Sequence, residues 1–233
     1  MHVVIGAGQV GSAIAAVLSD KHPVTVVDLD PVELSTPVDV MHVSIRHSAQ
    51  FEAIVDEYVA KYRPRVVVIH STVPVGTCDR RGWVHAPIRG RHPNLELGVR
   101  EFTLHIGGID AVATRDVAGA FERCGVDTFV HLKAADTEAG KLWELAQLGI
   151  QVRVMREIYD YCRERGLAFD VVYTAFAQSY NAGYARLEPQ FVRPVLEYQP
   201  GPLGGHCVAQ NSPMLESGFV DDLLDPISPR RGK

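Results

Sequence analysis

The chain has 233 residues, 46% of them hydrophobic and 22% charged, and its 23 basic and 28 acidic side chains leave a net charge of -5. That is the composition of a globular protein long enough to bury a core, and it excludes a collagenous or wholly disordered chain. The small negative balance gives no basic footprint for nucleic acid or an anionic membrane, and no apolar run approaches the roughly 20 residues of a membrane span.

From the first residue, short apolar runs alternate with helical spacing. His2 to Ile5 reads as a strand, Val10 to Ser19 as a helix and Val24 to Val27 as a second strand ending at Asp28. Val38 to Ile45 (strand), Gln50 to Tyr62 (helix) and Arg65 to His70 (a continuous apolar strand) follow. Trp83 to Pro87, Thr103 to Ile106 and Asp127 to Leu132 add strands, with a helix over Ala111 to Cys124. Such alternation predicts an α/β fold, a Rossmann-like doubly wound and mostly parallel sheet over residues 1–133.

Beyond Lys133 the texture becomes helical. Leu142, Leu145, Val152, Met155, Tyr159 and Cys162 recur at helical steps, which predicts one long helix over about 137–165, stopped at Gly166. Asp170 is a candidate cap for a second helix running to about Leu187. A Pro- and Gly-rich stretch follows, with an irregular cysteine loop over 200–208 and a tail expected to be disordered, so 134–233 forms a second, helical region.

The four cysteines, Cys78, Cys124, Cys162 and Cys207, show no C-x-x-C spacing, and M-H-V-V-I-G opens as a strand rather than an export signal. A reducing cytoplasm is the expected compartment. The ten histidines show no ligand spacing, so no metal is expected.

Gly6-Ala7-Gly8-Gln9-Val10-Gly11 lies between a strand and a helix, where the glycines of such a turn allow a tight bend, backbone approach to a pyrophosphate and close helix packing. Asp28 closes the second strand, 22 residues after Gly6, where a carboxylate accepts ribose hydroxyls and repels a 2′-phosphate. The pattern predicts NAD rather than NADP, held by Gly6, Gly8, Gln9, Val10, Gly11, Asp28 and the adjoining Leu29. Two further segments carry candidate chemistry. His70-Ser71-Thr72-Val73-Pro74-Val75-Gly76-Thr77 follows the strongest strand, which puts the Thr72 hydroxyl at a sheet edge suited to a nicotinamide, while a plain Ser/Thr/Pro/Gly turn explains the same letters. Gly204-Gly205-His206-Cys207 offers a loop thiol as a nucleophile, and Lys141 lies on the long helix, where only a spatial neighbour would make it more than a solvated charge.

Together these motifs resemble the UDP-glucose/GDP-mannose dehydrogenase family of nucleotide-sugar dehydrogenases. The likeness runs from Met1 to about Leu215. It includes G-A-G-Q-V-G, V-D-L-D-P at Val27 to Pro31, H-S-T-V-P-V-G-T, H-I-G-G at His105 to Gly108, T-E-A-G-K-L at Thr137 to Leu142 and P-L-G-G-H-C-V at Pro202 to Val208, in the family's order. The resemblance implies oxidation of a primary alcohol to a carboxylate with two NAD, through a thioester on Cys207, with Lys141 stabilising oxyanions and Thr72 beside the nicotinamide. It also implies a homodimer formed through the long helix and a small-molecule substrate, a sugar nucleotide or a hydroxy acid. The chain departs from the pattern at Leu145, where the family has asparagine, and at Asn211, where it has aspartate. Ile88 and His92 stand where the family carries acidic residues, including the glutamate that activates water. Only about ten residues separate Asp28 from the next strand, so one side of the sheet should be pared down. Members also continue into a C-terminal nucleotide-sugar domain, which leaves a smaller substrate or a partner-supplied wall as expectations. A two-electron dehydrogenase of the β-hydroxyacid type using Lys141, and a catalytically impaired NAD-binding protein, are the alternatives.

Overall fold

A run such as V-V-V-I has no polar position to turn toward water, and it folds as a strand covered on both faces. In the computed structural model, which describes residues 1–29, 32–201 and 205–224, runs of this kind form a seven-stranded sheet. The elements of Met1–Leu142, one compact unit, are β1 (His2–Ile5), α1 (Gln9–Ser19), β2 (Val24–Val27), β3 (Val40–Val43), α2 (Phe51–Tyr62), β4 (Val66–Ile69), α3 (Thr77–Arg81), β5 (Val84–His85), α4 (Leu95–Glu101), β6 (Leu104–Gly107), α5 (Ala111–Arg123), β7 (Thr128–His131) and the start of α6 (Ala134–Arg165).

The strand order is β2-β1-β3-β4-β5-β6-β7, parallel throughout except where β5 meets β6. The sheet is thus Rossmann-like and mostly parallel, and β2 is its edge, as the short link after Asp28 predicts. Because β1 has β2 on one side and β3 on the other, the winding reverses beside β1 and opens a crevice at the carboxyl ends of β1 and β3. Period-2 alternation sends Val4 to a core shared with Ile14, Leu18, Val99 and Phe121, and Val3 and Ile5 to a core shared with Phe51, Val55 and Tyr62.

A row of imidazoles crosses the first of these faces. His2 Nδ1 lies 2.9 Å from His42 Nε2, His42 Nδ1 lies 2.9 Å from His70 Nε2, and His70 Nδ1 lies 2.6 Å from the Ala86 carbonyl oxygen. A carbonyl only accepts, so His70 donates from Nδ1 and the same polarity passes back to His42 and His2. While neutral, His42 and His70 each donate once and accept once, and His2 donates from Nδ1. Phe121 packs edge-on against His42 and His70, and burial holds His2 and His70 down at about 4 and His42 well below the ordinary histidine value.

Trp143–Lys233 is the second compact unit. Here α6 continues to Arg165 and ends at Gly166, whose φ of 64° is left-handed. Two arginine contacts tie the chain back onto the helix, Arg156 donating to the carbonyls of Gln199 and Gly201 at 2.8 and 2.6 Å. A π-helical turn, Asp170–Ala175, leads into α7 (Phe176–Leu187); Asp170 is the first residue of that turn rather than its cap, and Phe169 in the cap position makes no side-chain bond. The cysteine segment also differs from expectation. Cys207 sits in α8 (Gly205–Asn211), where Val208 and Ser212 are buried one turn apart and the Ser212 hydroxyl donates to the Val208 carbonyl at 2.5 Å, so a helical face replaces the expected loop there. A further helix, α9, spans Gly218–Leu224. Pro202 to Gly204 and the tail from residue 225 lie outside the described residues.

Candidate active site

Built from the glycines outward, the first part of the site is a helix start left open. Gly6 adopts φ +96°, and a Cβ at Gly11 would stand 1.8 Å from the Gly6 carbonyl oxygen, so the turn and the close packing of α1 both require glycine. At Gly8, the N-cap, a Cβ would meet nothing within 4 Å, so the space before the helix is clear. No side chain caps α1 and no acidic residue occupies its first turn. Uncapped N–H groups and the positive end of a helix dipole fit an anionic diphosphate.

The neighbouring strand supplies the second part. Gly6 N donates to the Val27 carbonyl at 2.8 Å, which brings the end of β2 alongside the glycine turn. Asp28, exposed, is the next residue, and Leu29 is 93% exposed beside it. An adenine dinucleotide fits this pair of features, its diphosphate at Gly8, Gln9 and Val10 and a ribose at Asp28. His92, which stands where the resemblance places an acidic residue, donates from Nδ1 to the Gln9 side-chain oxygen, and so stands on the diphosphate side of the crevice.

The third part is the turn after β4. Ser71 donates to the Ile45 carbonyl at 2.5 Å, and half-buried Thr72 follows it. The buried Glu138 carboxylate on α6 accepts from Gly76 N at 2.5 Å and Cys78 N at 2.8 Å. In return Asp79 on α3 accepts from Ala134 N and Ala135 N at 2.8 and 3.2 Å, at the start of α6. Burial pushes the Glu138 carboxyl up, against the pull of those amides, and pushes the Cys78 thiol far up, so Cys78 is inert as a nucleophile. Lys141, partly exposed, lies one turn beyond Thr137 on the same helix.

His85 closes this cluster, and the sequence reading missed it. It is fully buried, with Nδ1 2.8 Å from the Thr137 hydroxyl and Nε2 3.3 Å from the Ser71 carbonyl. Both partners are distant in sequence, and a histidine inside an apolar run gives no local signal. Glu138 was visible only as a letter of the T-E-A-G-K motif.

The glycines, Asp28, Thr72 and Lys141 thus belong to the first unit, whereas Cys207 and Asn211 belong to the second, four residues apart on α8. Among the four cysteines only Cys207 is exposed; Cys78 and Cys162 are buried. Leu145, which stands for the family's asparagine, is 9% exposed. Among the described residues no group of three or more His, Cys, Asp or Glu is arranged to hold a metal ion, and no helix is long and apolar enough to cross a membrane.

Residues 2–72 match the TrkA-N domain family. No curated protein matches the chain by sequence. Among solved structures the fold is similar to a UDP-D-ManNAc dehydrogenase of Pyrococcus horikoshii, with a TM-score of 0.75 and 16% identity over 96% of this chain and 68% of that one. A GDP-mannose dehydrogenase of Pseudomonas aeruginosa gives 0.66 and 14% over 95% and 67%. A 3-hydroxyisobutyrate dehydrogenase of Mycobacterium tuberculosis gives 0.62 and 18% over 96% of this chain and 94% of that one. At these identities the likeness is one of fold.

Proposed function

We propose that the protein is an NAD-dependent dehydrogenase that oxidises the alcohol of a small sugar-like or hydroxy-acid substrate. The observation that carries this reading is the uncapped start of α1 at Gly8, open in front and flanked by the exposed Asp28 carboxylate at the sheet's switch point. All three dehydrogenases named above share the fold, and this supports the class without fixing the substrate.

NAD, when bound, supplies the hydride acceptor. The chain's own groups bind and orient around it: the α1 amides hold the diphosphate, Asp28 holds the adenosine ribose, and the Thr72 hydroxyl is offered to the nicotinamide edge. Lys141 is assigned to the substrate oxygen, as a base for the hydroxyl proton when neutral or as a charge partner for an oxyanion when protonated.

A second reading adds covalent chemistry, and the exposure of Cys207 favours it. In it the Cys207 thiolate would add to the aldehyde carbon to give a thiohemiacetal; with NAD as hydride acceptor that adduct would become an acyl thioester, which water would cleave to carboxylate and free thiol. Asn211, one turn on, is a donor for the oxyanion in this scheme. The buried Leu145 supports the simpler two-electron version, in which Lys141 suffices. We also propose that the protein acts as a homodimer through the long helix.

NADH formation, counted per substrate molecule across UDP-sugars, GDP-mannose and small hydroxy acids, tests the class: one NADH marks the two-electron reaction and two mark the covalent one. Tight NAD binding without turnover of any of them would leave a non-catalytic binding protein.

A further inference from the structure

His85 occupies a place that an apolar residue would fill more cheaply. Burying an imidazole costs free energy unless its nitrogens find partners, and both of them do so at functional segments. Nε2 is 3.3 Å from the carbonyl of Ser71, the residue before Thr72, and Nδ1 is 2.8 Å from the hydroxyl of Thr137, one helical turn before Lys141. One rigid ring therefore spans the turn that carries Thr72 and the helix that carries Lys141.

Two proton arrangements are open to this cluster. In the first, Nε2–H donates to Ser71 O, which only accepts, and Nδ1 accepts from the Thr137 hydroxyl. That hydroxyl has a second acceptor 2.8 Å away, the Ala134 carbonyl. If it turns there, Nδ1 must carry the ring proton and a bare Nε2 lone pair faces the Ser71 oxygen, which releases the turn. Burial, against the pull of the Ser71 carbonyl and with the Lys141 charge nearby, lowers His85 to about 3, so a neutral ring must choose one arrangement.

We propose that His85 is a positioning residue of the dinucleotide site: its Nε2–H tautomer, selected by Thr137, holds the Ser71–Thr72 turn against the nicotinamide half of the cofactor at a set distance from the lysine-bearing turn of α6. The proposal rests on the NAD reading above and goes beyond it by assigning the nicotinamide half alone to this pair.

The test titrates the full chain with NADH and, separately, with ADP-ribose, which shares the adenosine and diphosphate but lacks nicotinamide. The wild type binds both. Thr137→Val, which keeps the shape and removes the hydroxyl, is expected to weaken NADH roughly tenfold, the effect of one lost buried hydrogen bond, and ADP-ribose less than about twofold. His85→Leu is expected to show the same selectivity, and His85→Gln, whose amide can donate and accept, to recover part of it. Should His85→Leu fail to fold, Thr137→Val and ¹⁵N NMR of the His85 tautomer in the wild type decide the matter. Equal losses for both ligands, no loss in Thr137→Val, or an Nδ1–H tautomer in the wild type overturns the His85 assignment alone. A wild type that binds neither ligand overturns the dinucleotide reading as well.

Discussion

Glu138 and Asp79 exchange helix caps: Glu138, one turn into α6, accepts the amides of Gly76 and Cys78 at the start of α3, and Asp79, in α3, accepts the amides of Ala134 and Ala135 at the start of α6. A five-residue helix such as α3 has almost no stability of its own, so the exchange fixes the end of the Thr72 turn to the helix that carries Lys141. Glu138→Ala strands the buried Cys78 N–H and the half-buried Gly76 N–H and is expected to cost about 1–3 kcal/mol, with Asp79→Ala nearer ~1 kcal/mol. Urea unfolding measures both; equal, negligible losses would show the exchange to be incidental.

The histidine row makes the fold acid-sensitive. His2 and His70 titrate at about 4 and His85 at about 3 in the native state, and His42 lies well below 6.5, all chiefly through burial. In the unfolded chain they return to about 6.5. Native values are lowered, so below pH ~6.5 the unfolded chain binds more protons; the stability is complete above that pH and is lost as pH falls toward ~4. Each ring contributes up to about 1.4 kcal/mol per pH unit in that window. Denaturant midpoints measured from pH 7.5 down to 5 should fall steeply, and a flat profile would mean the rings are protonated in the folded protein.

Gly8 and Gly11 separate binding from folding. A Cβ at Gly11 collides with the Gly6 carbonyl at 1.8 Å, whereas at Gly8 it meets nothing within 4 Å. Gly11→Ala is therefore expected to destabilise by at least about 1–3 kcal/mol. Gly8→Ala should melt within about 0.5 kcal/mol of wild type yet bind NADH at least about tenfold more weakly, because its methyl enters the space a diphosphate needs. Calorimetry and melting on the two variants check this pair.

How much of this was legible beforehand follows the range of each interaction. β1 and β2 run over the predicted residues because V-V-I and V-T-V-V leave no other local choice. The short helices α3 and α4 of the first unit were not foreseen: α3 depends on Glu138, 60 residues away from Cys78 in sequence, and α4 contains Gly98, where a Cβ would stand 2.5 Å from the Arg89 carbonyl. The glycine turn and Asp28 announced themselves through spacing; His85 did not, since its partners lie 14 and 52 residues away.

The long helix carries the dimer prediction. At 32 residues α6 spans about 48 Å, and Trp143, Leu148 and Val154 on it remain 46%, 42% and 53% exposed. Sedimentation at micromolar concentration should show a dimer that Leu148→Glu with Val154→Glu converts to monomer; a wild-type monomer contradicts it.

Calorimetric titration of the full chain with NADH and with NADPH tests the central claim most directly. The open start of α1 beside Asp28 predicts saturable NADH binding, weakened in Gly8→Ala, and markedly weaker NADPH binding because the Asp28 carboxylate repels a 2′-phosphate. No heat with either dinucleotide, or equal binding of both that survives Gly8→Ala, would contradict it.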